Sequence, residues 1–188
     1  MELEKVFRER HSVRRYAPRD VPHDVLERIL DAAAYAPSAM NEQPWRFYVA
    51  IGETRTRVGE IMAQSTVYLE DYIEVLGPEE YELASQWYTN LGGCPVVVAV
   101  SMPVTEDRLQ LLNRTISVGA AIENVLLAVT NEGLGACSIT FSFWLREELA
   151  RALEVPEDRE IVALIALGYP AEEPVAPPHS HDVAEYRD

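Results

Sequence analysis

"VLERILDAAAYAPSAMNEQPWRFYVA", residues 25–50, changes its hydrophobic rhythm halfway along. Val25, Leu26, Ile29, Leu30 and Ala33 recur at helical spacing, so a helix opens near Pro22 and Pro37 ends it. "RFYVAI", residues 46–51, then reads as a strand. The connection between them, "APSAMNEQPWRF" at 36–47, carries two prolines, small residues, two amides and a tryptophan. Glu42 is its only formal charge before Arg46. Trp45 is most simply a core or interface anchor. Small residues after a proline let backbone approach a flat ligand, and Asn41 and Gln43 supply paired donors and acceptors.

The same alternation of periods runs through the chain. "LEKVFRER" puts Leu3, Val6 and Phe7 on one helical face, and "RHSVRRYAPRD" breaks the period as a loop. Apolar positions from Thr54 to Leu76 predict one long helix, "GPEE" interrupts it, and a short amphipathic stretch runs to Leu91. "PVVVAVS" is a fully buried strand by its β-branched run. Residues 106–132 predict a second long helix, central because "SVGAAIENVLLAV" is apolar on nearly all sides, with "GLG" as its cap. "ACSIT" and "EIVALIALGYP" read as strands around a helix at "FWLREELARALEV". From Ala171 the chain is polar and proline-rich, with no core pattern of its own. Few strands among many helices imply one sheet covered by helices.

A length of 188 residues fits one domain, and at that size about 70% of the unfolded surface can be buried. Cys94 and Cys137 both lie in apolar stretches and read as buried free thiols. No charged-then-apolar leader opens the chain, and no apolar run reaches the roughly 18 residues of a membrane span, so the expectation is a cytoplasmic protein without membrane partners. A net charge of −15 argues against a nucleic-acid partner. Within that acidity Arg8, Arg10, Arg14, Arg15 and Arg19 form a local positive island, either a grip for an anion or a solvated loop.

"GLGA" at 133–136 follows a helix and precedes a strand, the reverse of a dinucleotide-binding turn. His179 and His181 are half a metal site at most; with His11, His23 and two buried cysteines as the other candidates, no metal is expected. No nucleophile–base pair and no G-x-S-x-G elbow is present. Two stretches survive. Arg10, Ser12 and Arg14 offer two guanidiniums and a hydroxyl on a loop, able to grip phosphate through charged hydrogen bonds of about 1.5–3 kcal/mol each. The 36–47 bridge is the other. Together they suggest a ligand with an anionic end and a planar polar end.

"RHSVRRY" followed by "VLERILDAAAYAPSAMNEQPWRFYVA" closely resembles the N-terminal half of the nitroreductase family of FMN-dependent NAD(P)H oxidoreductases. The resemblance continues through "CPVVVAVS", "GAAIENVLLAVTNEGLGACSI" and "ALIALGYPAEEPVAP" and covers nearly the whole chain. It implies an α+β fold, a mostly antiparallel central sheet packed by helices in an interlocked homodimer. Residues 1–170 would be a single FMN-binding domain, and residues 171–188 a tail lying on the partner subunit.

The resemblance also implies roles. Arg10 and Ser12 would hold the FMN phosphate with His11 beside them, and Arg14 would reach the pyrimidine edge of the flavin and stabilise its reduced, anionic form. Pro37, Ser38, Ala39 and Asn41 would pack the isoalloxazine from the other subunit. Ser138, Ile139, Thr140 and Phe141 would cover its opposite side, with backbone N–H groups near N5 and O4. The implied reaction is ping-pong: NADH or NADPH reduces FMN, leaves, and a small-molecule acceptor such as a nitro compound or quinone takes the electrons. Two departures stand out. Relatives place a lysine or arginine against the flavin edge, whereas residues 80–92 offer Gln86, Tyr88 and Asn90 and no basic residue. Relatives close the phosphate site with a basic residue near the C-terminus, where His179 and His181 fall here, which would make FMN affinity pH-dependent near neutrality. The competing readings are a specialised flavin oxidase, dehydrogenase or dehalogenase, and a flavin-binding module without turnover. Glu70 and Tyr72 without a nearby lysine argue against the dehalogenase.

Overall fold

A strand that is apolar on both faces has to lie inside a sheet. In the computed structural model, which describes residues 2–173, 178–180 and 182–187, Val96–Pro103 (β2) does so. It pairs antiparallel with Arg46–Ile51 (β1) on one side and Arg159–Gly168 (β4) on the other, and β4 pairs antiparallel with Gly135–Ile139 (β3). Among the described residues the sheet order is β1-β2-β4-β3, so the two most apolar strands take the centre.

The alternation along β2 divides the core in two. Val96, Val98 and Val100 face Leu26 and Ile29 of helix His23–Asp31 (α2), and Val118, Ala121, Val125 and Val129 of Arg108–Asn131 (α7). Val97 and Ala99 face Val58 and Met62 of Gly52–Ala63 (α3), and Leu149 of Arg146–Ala152 (α8). Trp45 is buried in the first of these clusters, as a core anchor. The helix expected over 106–132 is α7; the Asp107 carboxylate accepts the Gln110 N–H at 2.8 Å to start it, and Gly133 at φ +74° follows its end. Among the described residues no helix is long and apolar enough to cross a membrane.

Two expectations fail locally. The single helix predicted from Thr54 to Leu76 is broken: α3 stops at Ala63, and Thr66–Leu69 (α4), a 3₁₀ turn at Glu70–Tyr72 and Ile73–Leu76 (α5) follow. Adjacent hydroxyls mark the break, Ser65 donating to the Met62 carbonyl at 2.7 Å and Thr66 to the Ala63 carbonyl at 2.9 Å. Pro78–Asn90 (α6) then runs on to Leu91, whose left-handed backbone (φ 52°) ends it. In Leu3–Glu9 (α1) Val6 is buried, but Leu3 and Phe7 stay exposed, so the apolar face read from the sequence is only partly covered by this chain.

The 36–47 bridge is held in an uncommon shape. Met40, Asn41 and Gln43 have φ of 52°, 57° and 48°, conformations that side-chain-bearing residues keep only when surroundings enforce them, at a cost of order 1–3 kcal/mol each. The enforcement is visible. Ser117 Oγ accepts the Ala39 N–H at 3.3 Å, and Ser38 Oγ accepts the Gln43 N–H at 3.1 Å. Arg114 pairs with Glu42 at 2.7 Å. Arg159 donates to the Pro44 carbonyl while also holding Ser101 Oγ at 2.9 Å and the Ser101 carbonyl at 3.1 Å. Arg159→Met should strip these acceptors of their donor and lower stability by about 2–4 kcal/mol. Urea unfolding followed by tryptophan fluorescence checks this, and an unmoved midpoint would mean the bridge holds its shape without Arg159.

Candidate functional site

The arginine-rich loop after α1 is stitched into the sheet rather than solvated. Val13 N–H donates to the Ala136 carbonyl at 3.0 Å, Tyr16 N–H to that of Gly92 at 3.1 Å, and Ala17 N–H to that of Tyr169 at 2.8 Å. The return contact is Ala171 N–H to the Arg15 carbonyl at 2.9 Å. Two glycines permit this. A Cβ on Gly135 would stand 2.5 Å from Val13 Cγ2, and one on Gly92 would stand 1.9 Å from the Arg14 carbonyl oxygen. Tyr16 is buried, with its hydroxyl 2.5 Å from the Val13 carbonyl and 3.0 Å from that of Ala166, and burial pushes its pKa up.

Arg14 is fixed by its backbone. Its N–H donates to Glu172 Oε1 at 2.6 Å, and its carbonyl accepts from Trp87 Nε1 at 2.8 Å. The same carboxylate accepts the Arg15 N–H at 3.1 Å and Arg15 Nε at 3.0 Å. Arg14 lines a cavity of about 540 Å³, walled by Leu69, Glu80, Leu83, Ala84, Trp87 and Tyr88 on one side and Cys137, Ser138, Ile139 and Phe141 on the other. The Tyr88 and Phe141 rings lie 5.2 Å apart, tilted by 34°. Burial raises the Cys137 thiol pKa and Arg14 pulls against it; Cys94 is raised by burial too, and both thiols are free. Val13 covers the outer edge of β3 at Ala136; by the alternation of a strand, the N–H and C=O of Ser138 turn to that same edge, beside the cavity.

Four residues named from the sequence therefore share this cavity: Arg14, Ser138, Ile139 and Phe141. Ser12 adjoins it through its bridge to Ala136 and a hydrogen bond with Cys137. Thr140 follows at the end of β3, exposed, its carbonyl accepting the Phe143 N–H at 3.0 Å. Arg10 turns away, its Nε 3.5 Å from Glu123 on α7. His11 lines a second cavity of about 370 Å³ with Val13, Thr130 and Pro170, and its buried Nδ1 has no hydrogen-bond partner among the described residues. Pro37, Ser38, Ala39 and Asn41 do not line the Arg14 cavity of their own chain; Ala39 packs on Ser117 of α7 instead. His179 is exposed, and His181 lies outside the described residues.

The model described as "Nitroreductase family" matches residues 7–169. The chain belongs to the nitroreductase family. Within that family it is 27% identical over 201 aligned positions to a nitrobenzene nitroreductase of Ectopseudomonas oleovorans, covering 89% of this chain and 86% of the relative. It is 28% identical to a 4-nitrobenzoate reductase of Nocardioides sp., covering 93% and 83%. Its fold matches the crystal structure of the FMN-dependent nitroreductase NfnB from Mycobacterium smegmatis in complex with NADPH, with a TM-score of 0.83 at 19% identity over 98% and 97% of the two chains.

In this nitroreductase-family chain the contacts that set Arg14 come from residues the sequence did not single out. Glu172 lies in a tail without pattern, and the tail's first residues dock on the loop of their own chain. The doubled glycine at 92–93, just ahead of β2, is the one signal that could have exposed a close approach there. Burial pushes the Glu172 carboxyl up, but the Arg14 N–H and the Arg15 guanidinium and N–H hold it below the ordinary range on balance. A lowered carboxyl pKa contributes stability that is present above the unfolded-state value near 4.3 and is lost as pH falls through the folded-state value. Glu172→Gln should therefore cost about 1–2 kcal/mol at pH 7. The gap to the parent should close as pH falls below about 4.3. Urea midpoints from pH 7 to pH 3 give the comparison, and a gap that stays constant with pH would detach Glu172 from this role.

Proposed function

We propose that this chain is an FMN-dependent oxidoreductase, working as a homodimer, that carries electrons from NADH or NADPH to a nitro compound, quinone or similar small acceptor in a ping-pong sequence. The observation that carries the reading is the cavity: an arginine fixed by its backbone lines a largely apolar and aromatic space. Its volume of about 540 Å³ suits a tricyclic ring, within the roughly 300–1,000 Å³ usual for cofactor sites.

When bound, FMN supplies two-electron transfer, so that a nitro group receiving two electrons and two protons becomes a nitroso group and water. The protein's part is placement and charge. Arg14 faces the pyrimidine end of the ring and favours negative charge there; its rigid backbone means little reorganisation is needed when that charge develops. The edge of β3 at Ser138 presents an N–H and a C=O to the ring, and Phe141 and Tyr88 exclude water from one face. Arg10, Ser12 and His11 hold the phosphate, with Arg10 trading its contact to Glu123 for the ligand and the orphaned His11 Nδ1 gaining a partner. His179 and His181 are further candidates for the phosphate, from whichever subunit presents them.

The bridge residues Pro37, Ser38, Ala39 and Asn41 serve the neighbour's ring in this reading. What supports it is exposed apolar surface: Met40 on the bridge, Leu109, Leu112 and Ile116 on α7, and Leu3 and Phe7 on α1 are all uncovered in the single chain. Leu109, Leu112 and Ile116 form one exposed stripe near the start of a helix whose other face, at Val118, Ala121, Val125 and Val129, is core.

The purified protein should be yellow with about one FMN per chain, and anaerobic NADH or NADPH should bleach it; bleaching by dithionite alone would point to a more specialised flavoprotein or a flavin carrier. Arg14→Ala should lower the flavin midpoint potential by about 30 mV or more while FMN is largely retained, because the charge it stabilises exists only after reduction. Spectroelectrochemistry decides this, and an unshifted potential would remove Arg14 from the role. Sedimentation at micromolar concentration should give a dimer; a monomer that keeps its FMN would refute the shared site.

A further inference from the structure

We infer that the mouth of the cavity selects the electron acceptor by charge, admitting neutral and cationic flat compounds and turning away carboxylates, with Glu80 as the residue that sets the choice. This rests on the flavin reading above, which commits Arg14 to the cofactor.

From Val58 to Asp107 the chain contains no lysine or arginine. That stretch includes α4 and α6, which supply the helical wall of the cavity. Glu80, Leu83, Ala84, Trp87 and Tyr88 fall three and four residues apart, so one face of α6 is turned to the cavity and a carboxylate begins it. Trp87, whose indole holds the Arg14 carbonyl, lies seven residues further along, which is about 10 Å of helix. The cavity's two charged residues thus stand at different places, Arg14 on the loop that anchors the ring and Glu80 at the start of the helix above it. Glu80 is exposed, and among the described residues no cation pairs with it. Glu79 and Glu82 beside it add to the negative potential.

Once Arg14 faces the flavin, an acceptor entering beneath α6 meets leucine and aromatic surface and one carboxylate. A neutral nitroarene loses nothing there, and a protonated amine gains. An aryl carboxylate meets like charge, worth about a tenfold loss at separations of several ångströms in a partly desolvated mouth. The relatives do not settle the choice by similarity, since one is a nitrobenzene nitroreductase at 27% identity and another a 4-nitrobenzoate reductase at 28%.

The test uses FMN-loaded protein and compares kcat/KM for nitrobenzene, 4-nitrobenzoate and 4-nitrobenzylamine at pH 7. In the parent, 4-nitrobenzoate should fall about tenfold below nitrobenzene, and 4-nitrobenzylamine should match or exceed it. Glu80→Gln should raise the 4-nitrobenzoate to nitrobenzene ratio by about tenfold, and Glu80→Lys should raise it further. Added salt should shrink the parent's discrimination and leave that of Glu80→Gln nearly flat. A ratio unchanged in both variants, with FMN content and NAD(P)H bleaching intact, would overturn this inference alone. Failure to hold FMN at all would overturn the flavin reading and this inference with it.

Discussion

Two consecutive backbone N–H groups, those of Arg14 and Arg15, converge on the carboxylate of Glu172. The rest of the site depends on that convergence. The loop carries several like charges in a short span and would by itself repel and stay extended in water. A buried-edge carboxylate that accepts from the backbone does not neutralise the Arg14 side chain; it fixes where that side chain starts and leaves its charge available. The Trp87 indole and the bare Cα of Gly92 then press the same peptide from the other side. An arginine held in this way is positioned by groups that do not compete for its guanidinium.

The bridge at 36–47 solves the opposite problem. Its backbone conformation at Met40, Asn41 and Gln43 is intrinsically unfavourable, so it must be held by side chains from elsewhere, and two arginines from α7 and β4 do so. Arg159 carries out this task from a partly buried position, where desolvation pulls its pKa down. Its hydrogen bonds to Ser101 and the Pro44 carbonyl offset that cost. Strain kept at a fixed place by a satisfied, partly buried cation is what a rigid ligand shelf requires, and it is costly unless the shape is used.

Much of the frame was legible in the sequence because it follows from periodicity. The valine run of β2 demanded the centre of a sheet, and α7 followed from an apolar stretch too long for a strand. Arg14, Ser138, Ile139 and Phe141 could be assigned to one place because a family pattern supplied the spatial relation that spacing alone does not. What was not legible involved side chains acting on distant backbone. Neither Glu172 nor Arg159 breaks any local rule, and only the fold reveals the peptides they hold. The break after Ala63 was missed for a related reason. Ser65 and Thr66 leave the apolar rhythm almost intact while their hydroxyls compete for helix carbonyls. The wall of α6 was readable as amphipathic but not as the lining of a cavity, because none of its residues is fully buried.

The pairing of the arginine loop with the far end of the chain has a consequence for biosynthesis. Glu172 and Arg14 are 158 positions apart, and the strand that precedes Glu172 is the inner neighbour of both β2 and β3. A growing chain can assemble α2, β1, α3 and β2 from near neighbours, and Gly92 and Trp87 already offer the Arg14 loop two partners, but its contacts to Tyr169, Ala171 and Glu172 wait until β4 has left the ribosome. The pocket is therefore a late feature in the order of assembly, because it needs contacts between segments far apart in the chain. Until β4 pairs with it, β2 has one edge uncovered, and an open strand edge is a template for pairing with another chain.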